Sequence, residues 1–190
     1  MRVVGGLSVC WVALFAVLLL AAEFSAGEPA SEASRREVTR DPSGRPTGTR
    51  LLRTWRDTVK LGGRDVPRIV EIVYDYEAGV ARRRVYNADG VLVADQPLAD
   101  QPQPSPEEIA EAVAIIRADP ELGKLARRVG ANFEGGFLLR EAAGEPCGPG
   151  SRCLQIFMLS QSRFGLHRRS AVDMRKEVIA HRRVRPDPAE

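Results

Sequence analysis

Ser105-Pro106-Glu107-Glu108-Ile109-Ala110-Glu111-Ala112-Val113-Ala114-Ile115-Ile116-Arg117 is the stretch on which the fold turns. Ser105 stands where a helix needs its N-cap. Pro106 takes the first helical position, where a missing amide costs nothing, and Glu108 closes a capping box. Ile109, Ala112, Val113 and Ile116 then recur at helical spacing and make one apolar stripe. Asp119-Pro120 repeats the opening, Leu122, Leu125, Ala126 and Val129 form a second stripe, and Gly130 ends it. The pattern predicts a kinked helix or two consecutive ones, packed on a sheet.

On both sides of this helix the period changes to two. Downstream, Phe133 and Phe137 to Leu139 predict one strand. Cys153 to Ser160 predicts a nearly all-apolar, central one, and Leu166 to Met174 and Glu177 to Val184 the last pair, joined by a tight turn at Arg175-Lys176. Gly135-Gly136 and Gly148-Pro149-Gly150 read as turns. Upstream, residues 50–98 read as a β-meander: Gly62-Gly63, Glu77-Ala78-Gly79 and Asp89-Gly90 are its turns, and Ile69 to Tyr76 its most β-branched run. Arg82-Arg83-Arg84 lies on a strand, so its side chains alternate between faces and read as solvated charge. Residues 28–49, rich in Glu, Ser, Arg, Pro and Gly without apolar periodicity, read as a flexible linker. The expected fold class is α+β, an antiparallel sheet packed on a helix in a domain spanning 99–186. The meander either forms its own domain or completes that sheet.

The helix segment resembles the start of the small N-terminal domains of copper amine oxidases, with its proline-containing opening, Glu-Glu-Ile and the Ala-Val-x-Ile-x-Arg-like run. Ala171-Val172-Asp173-Met174 through Val178-Ile179 to Val184-Arg185-Pro186 is similar to the closing strand pair of those domains. The resemblance covers about residues 97–186 and implies a cystatin-like fold, a helix wrapped by a four-stranded antiparallel sheet. It does not carry the family's activity. That activity needs a quinone-forming tyrosine in an Asn-Tyr-Asp/Glu motif and three copper-binding histidines. None of Tyr74, Tyr76 and Tyr86 follows an asparagine, and the chain has two histidines, His167 and His181. The Gln-x-Val-x-Gly loop of inhibitory cystatins is also missing.

At the amino end, Arg2 is followed by twenty uncharged residues, Val3 to Ala22, and then by small residues. This is the arrangement of a secretory signal peptide, assigned to residues 1–27, with cleavage after Ala22 or after Gly27. The alternative is an uncleaved anchor, since about twenty apolar residues just span a bilayer. Both readings place the rest outside the cytoplasm, secreted or periplasmic, and after cleavage no stable membrane span is expected. Cys10 leaves with the leader. Cys147 and Cys153 remain, flanking a turn sequence in an oxidising compartment, and are expected to form a disulfide.

Chemistry is sparse. His167 and His181, which would face each other if both final strands are regular, lack the further ligands a metal site needs, so no metal and no cofactor are expected. Ser160, Ser162 and Ser170 have no nucleophile elbow around them. Glu107-Glu108 is explained by capping and the helix dipole. No glycine pattern forms a phosphate loop. The chain is therefore expected to be a non-catalytic binding or accessory module, inhibition being one form of that role, with an accessory subunit of a separately encoded amine-oxidase-like enzyme as the alternative. Its 28 basic and 25 acidic residues balance to +3, too mild to imply nucleic acid. Charge is lopsided only from Arg163 to Arg185. There Arg163, Arg168, Arg169, Arg175, Lys176, Arg182, Arg183 and Arg185 face only Asp173 and Glu177. These eight are the candidate contact for an anionic envelope component, the other candidate partner being a protein.

Overall fold

A computed structural model describes residues 38–160 and 165–184. The expected signal peptide, Cys10 and the first part of the linker lie outside the described residues. Ten strands and two helices follow in the order β1 (Thr39–Arg40), β2 (Pro46–Thr47), β3 (Thr49–Leu61), β4 (Arg64–Asp75), β5 (Val80–Asn87), β6 (Leu92–Pro97), α1 (Pro106–Ala118), α2 (Pro120–Val129), β7 (Ala131–Leu139), β8 (Cys153–Ser160), β9 (Gly165–Asp173) and β10 (Val178–His181). Two four-stranded antiparallel meanders result, β3-β4-β5-β6 and β10-β9-β8-β7. The class is α+β with antiparallel sheets.

The helical stretch forms as its sequence dictates. The Ser105 hydroxyl accepts from the Glu108 amide at 3.3 Å, while a Glu108 oxygen accepts from the Ser105 amide at 3.1 Å. Asp119 then serves twice. It ends α1, and its carboxylate accepts the Glu121 and Leu122 amides, at 3.0 and 2.9 Å, to start α2. With Pro120, which has no amide hydrogen to continue α1 and keeps Asp119 extended, this makes the segment two helices and not one. Gly123 is obligatory in α2, because a Cβ there would meet the Arg117 carbonyl oxygen at 2.2 Å.

The two meanders are separate sheets around one core. Tyr74, Tyr76 and Ala81 from the first pack with Ala112, Ile116, Leu122 and Leu125 of the helices and with Leu154, Ile156, Met158, Val172 and Met174 of the second. β8, between β7 and β9, buries alternate residues almost completely.

Two sequence expectations change. Gly135-Gly136 is not a turn: it lies inside β7, where the register with β8 shifts. The bulge lets α1 approach, since a Cβ on Gly135 would sit 2.9 Å from both Ile109 and Ile156 side-chain atoms. The second half of the 28–49 segment is likewise not a free linker. Thr39–Arg40 pairs with Pro46–Thr47, Asp41 accepts the Ser43 and Arg45 amides at 2.8 and 2.9 Å, and Arg40 forms an ion pair with Glu177. Local turn chemistry of Asp and Ser, not apolar periodicity, orders it.

What ties the sheets together is polar. Arg152, just before β8, sends Nε to one Glu108 oxygen at 2.6 Å and a terminal nitrogen to the other at 2.7 Å. Both side chains are fully buried. The Tyr76 hydroxyl donates to the same carboxylate at 2.6 Å, and the guanidinium lies 4.4 Å over the Tyr74 ring. Burial pushes the Glu108 carboxyl up. The Arg152 pair, with Tyr76 and the Ser105 amide, outweighs it and holds the group below its usual 4.5. Burial raises the Tyr74 hydroxyl to about 12 and, with the Glu108 charge, raises Tyr76 as well.

Cutting one side of this pair strands a buried charge, so Arg152→Met is expected to lose about 3–5 kcal/mol in denaturant unfolding. Because the folded Glu108 carboxyl is depressed, its contribution is complete above about pH 4.5 and is lost as pH falls through the folded value. Glu108→Gln, compared with wild type by thermal unfolding from pH 7 down to pH 2, should flatten that acid limb. An unchanged slope would contradict the assignment.

Candidate functional site

Of the eight basic residues singled out from the sequence, six are described, and Arg168, Arg175, Lys176 and Arg182 are engaged within the chain. Arg163 and Arg185 lie outside the described residues. Arg168 approaches Glu121 at 3.7 Å, and Arg182 binds Asp119 at 2.8 Å and Glu121 at 3.3 Å, both against the start of α2. Lys176 pairs with Asp173 at 3.1 Å. Arg175 donates to the carbonyls of Tyr76 and Glu77, each at 2.9 Å, and to that of Gly150, clamping the first sheet to the loop before β8. Arg169 is partly buried opposite Phe157, and Arg183 is exposed. Arg168 lies in the first half of β9 (Gly165–Asp173), and Arg175 in the turn that follows it. A sequence-local charge run is thus divided between two ends of the hairpin, and most of its members answer carboxylates or carbonyls of the same chain. Asp119 and Glu121, distant in sequence, supply the missing counter-charge. The groove lined by Arg45, Thr47, Glu77, Gly150 and Arg175 has on its floor the Arg175 guanidinium already bound to those three carbonyls.

Cys147 and Cys153 are joined, with Cα atoms 5.6 Å apart, and both are almost fully buried. The bond closes the loop between β7 and β8. Its surroundings were not visible in sequence. The Cys147 amide donates to a Glu141 oxygen at 3.0 Å, and His181 Nε2 lies 2.9 Å from the same oxygen. His181 with the Cys147 amide holds the Glu141 carboxyl below its usual range. His181 does not face His167: it pairs with Ala171, because the β9–β10 register shifts between Ile179 and His181. Ser170 is buried, and its hydroxyl donates to the Arg182 carbonyl. Arg82 and Arg84 both lie against Asp95, at 2.7 and 3.5 Å.

The remaining conspicuous feature is a projecting ribbon. β3 runs for 13 residues as the edge strand of the first sheet and, among the described residues, pairs only with β4. From Arg53 outward most of its side chains are exposed, Trp55 at 39% and Leu61 at 60%. Over residues 53–70, Arg53, Arg56, Lys60, Arg64 and Arg68 outnumber Asp57 and Asp65, with Arg68 paired to Asp57 at 2.5 Å and Lys60 to Asp65 at 3.9 Å. Among the described residues no helix is long and apolar enough to cross a membrane.

No protein-family model matches this chain, and no curated protein matches it. Among solved structures it is similar to a copper-containing benzylamine oxidase from Hansenula polymorpha, at 9% identity and a TM-score of 0.52. The match covers 84% of this chain and 29% of the oxidase, so the chain spans less than a third of that enzyme's length. At this identity the likeness is one of fold. The antiparallel sheets and helices of the described residues share an α+β arrangement with part of a copper amine oxidase.

Proposed function

We propose that the protein is an exported, non-catalytic binding module that engages a protein partner through the β3–β4 ribbon. The observation that carries this reading is the 13-residue edge strand, whose outer half stands clear of the core. An edge strand offers a row of main-chain donors and acceptors to an incoming strand, while alternate side chains supply selectivity. Trp55 is the kind of residue that dominates contact energies, and the surplus of arginine and lysine suits an acidic strand. Arg168, Arg175, Lys176 and Arg182 of the basic hairpin are engaged within the chain, which favours the ribbon over the hairpin as the working surface.

The second reading is an accessory subunit of a separately encoded amine-oxidase-like enzyme. It is favoured by the fold likeness to part of a benzylamine oxidase together with the helix and closing-strand resemblance to the cystatin-like N-terminal domains of that family. In this reading the ribbon docks on the catalytic chain. Secretion or residence in the periplasm rests on the leader-like first 27 residues.

A photo-cross-linking amino acid at Thr58, and separately at Arg183, distinguishes the surfaces in the native envelope fraction. The expected result is one salt-resistant stoichiometric adduct from Thr58, reduced about tenfold by Trp55→Ala, in line with an aromatic hot spot. A catalytic amine-oxidase-like chain in that adduct selects the second reading. Adducts from Arg183 alone, fading as salt rises, would sink both and return function to the basic hairpin.

A further inference from the structure

One corner of the molecule gathers more ligating chemistry than a staple needs. A carboxylate oxygen of Glu141, the Cys147 sulfur and a ring nitrogen of His181 lie within 4.8 Å of one another. The Cys153 sulfur is one bond further, 2.12 Å from that of Cys147. Two segments contribute: the β7–β8 connection from Glu141 to Cys153, and His181, the last residue of β10. Leu139, Ala171, Ala180 and Val184 wall in the sulfurs. Glu141 and His181 keep about a quarter of their side chains exposed (23% and 26%), so the corner is open to solvent on the side of its two hard ligands.

We propose that reduction of Cys147–Cys153 converts this corner into a four-coordinate zinc site, with the two thiolates, His181 Nε2 and a Glu141 oxygen as ligands. Two sulfurs, one imidazole and one carboxylate make a donor set that zinc accepts, and four protein ligands close a tetrahedral site. With Zn–S near 2.3 Å the sulfurs must separate to about 3.8 Å. The present Cα spacing of 5.6 Å allows that by side-chain rotation with little movement of the loop. The carboxylate and imidazole, now 2.9 Å apart, each turn one atom toward the ion.

A dithiol of the thioredoxin type gives two electrons and two protons to the S–S bond and is left as its own disulfide. The two new thiols release their protons to solvent as they bind Zn2+. The loop between β7 and β8 is then closed in either state, by a covalent bond when oxidised and by a metal when reduced. This inference is independent of the ribbon reading.

The test uses the purified protein, oxidised or reduced with a phosphine, which becomes its oxide and leaves no competing thiol. Zn2+ is titrated against a chromogenic chelator, and Co2+ is added in parallel as a spectroscopic probe. The expected result is one Zn2+ bound at least about 100-fold more tightly after reduction. Co2+ should show a thiolate charge-transfer band and tetrahedral visible absorption. His181→Ala and Glu141→Ala should each weaken binding by at least about 10- to 100-fold, since losing a direct ligand costs no less than losing a group that only orients one. Both variants are first compared with wild type by circular dichroism in the oxidised state, where the disulfide holds the loop. Equal affinity in both redox states would overturn the proposal. So would binding that neither variant weakens, or reduced protein that unfolds and is not restored by Zn2+.

Discussion

The structure depends on one buried ion pair. Glu108 and Arg152 are both removed from water, and each alone in that place would be untenable, because an isolated charge in the interior costs several kcal/mol. Together they are satisfied. The carboxylate accepts two guanidinium bonds, the Tyr76 hydroxyl and the Ser105 amide, while the guanidinium also reaches the Pro102 carbonyl at 3.4 Å and lies over Tyr74. The four sources of these groups are the end of the first sheet, the connector after it, the start of α1 and the entry to β8. A contact that demands all four at once fixes how the sheets are placed, which apolar packing alone does loosely. The Arg175 clamp repeats the logic nearby, joining Tyr76 and Glu77 to Gly150 through three carbonyls.

Among the described residues, many polar side chains are engaged with partners of the same chain. Their chemistry is largely consumed in holding the chain together. Glu108 caps a helix and neutralises an arginine, Asp119 starts a second helix and binds Arg182, and Asp95 takes both Arg82 and Arg84. The features left over are an edge ribbon and a disulfide with ligating neighbours, which lead toward binding and toward redox-linked metal capture. Fold likeness to part of a benzylamine oxidase adds an architecture to this, not an activity.

Much of the fold was legible because it is locally encoded. Ser105, Pro106 and Glu108 announce a helix start within four residues, Gly62-Gly63 and Asp89-Gly90 announce turns, and Cys153 to Ser160 reads as a buried strand from composition alone. The site was much less legible, because its contacts join residues far apart in sequence. Glu108 satisfies its capping role so fully that nothing in the sequence signals a second partner at Arg152, 44 residues on. Arg152 itself hides in a turn sequence. Glu141 and His181 meet over a separation of 40 residues, and a register shift in β10 decides where His181 stands. The hairpin at Thr39 and the bulge at Gly135 were missed for a related reason. Apolar periodicity is silent where Asp–Ser turn bonds or a close helix approach do the ordering.

The buried Glu108–Arg152 pair makes the two four-stranded sheets one cooperative unit. Native-state hydrogen exchange followed by mass spectrometry tests it directly, by comparing the opening free energies of amides in β4–β5 with those in β8–β9. The account predicts a common value for the two sheets in the wild-type protein, and separate values once Arg152 is replaced by methionine. If the first sheet already opens independently of the second in the wild-type chain, the Glu108–Arg152 pair does not unite them, and the account is wrong.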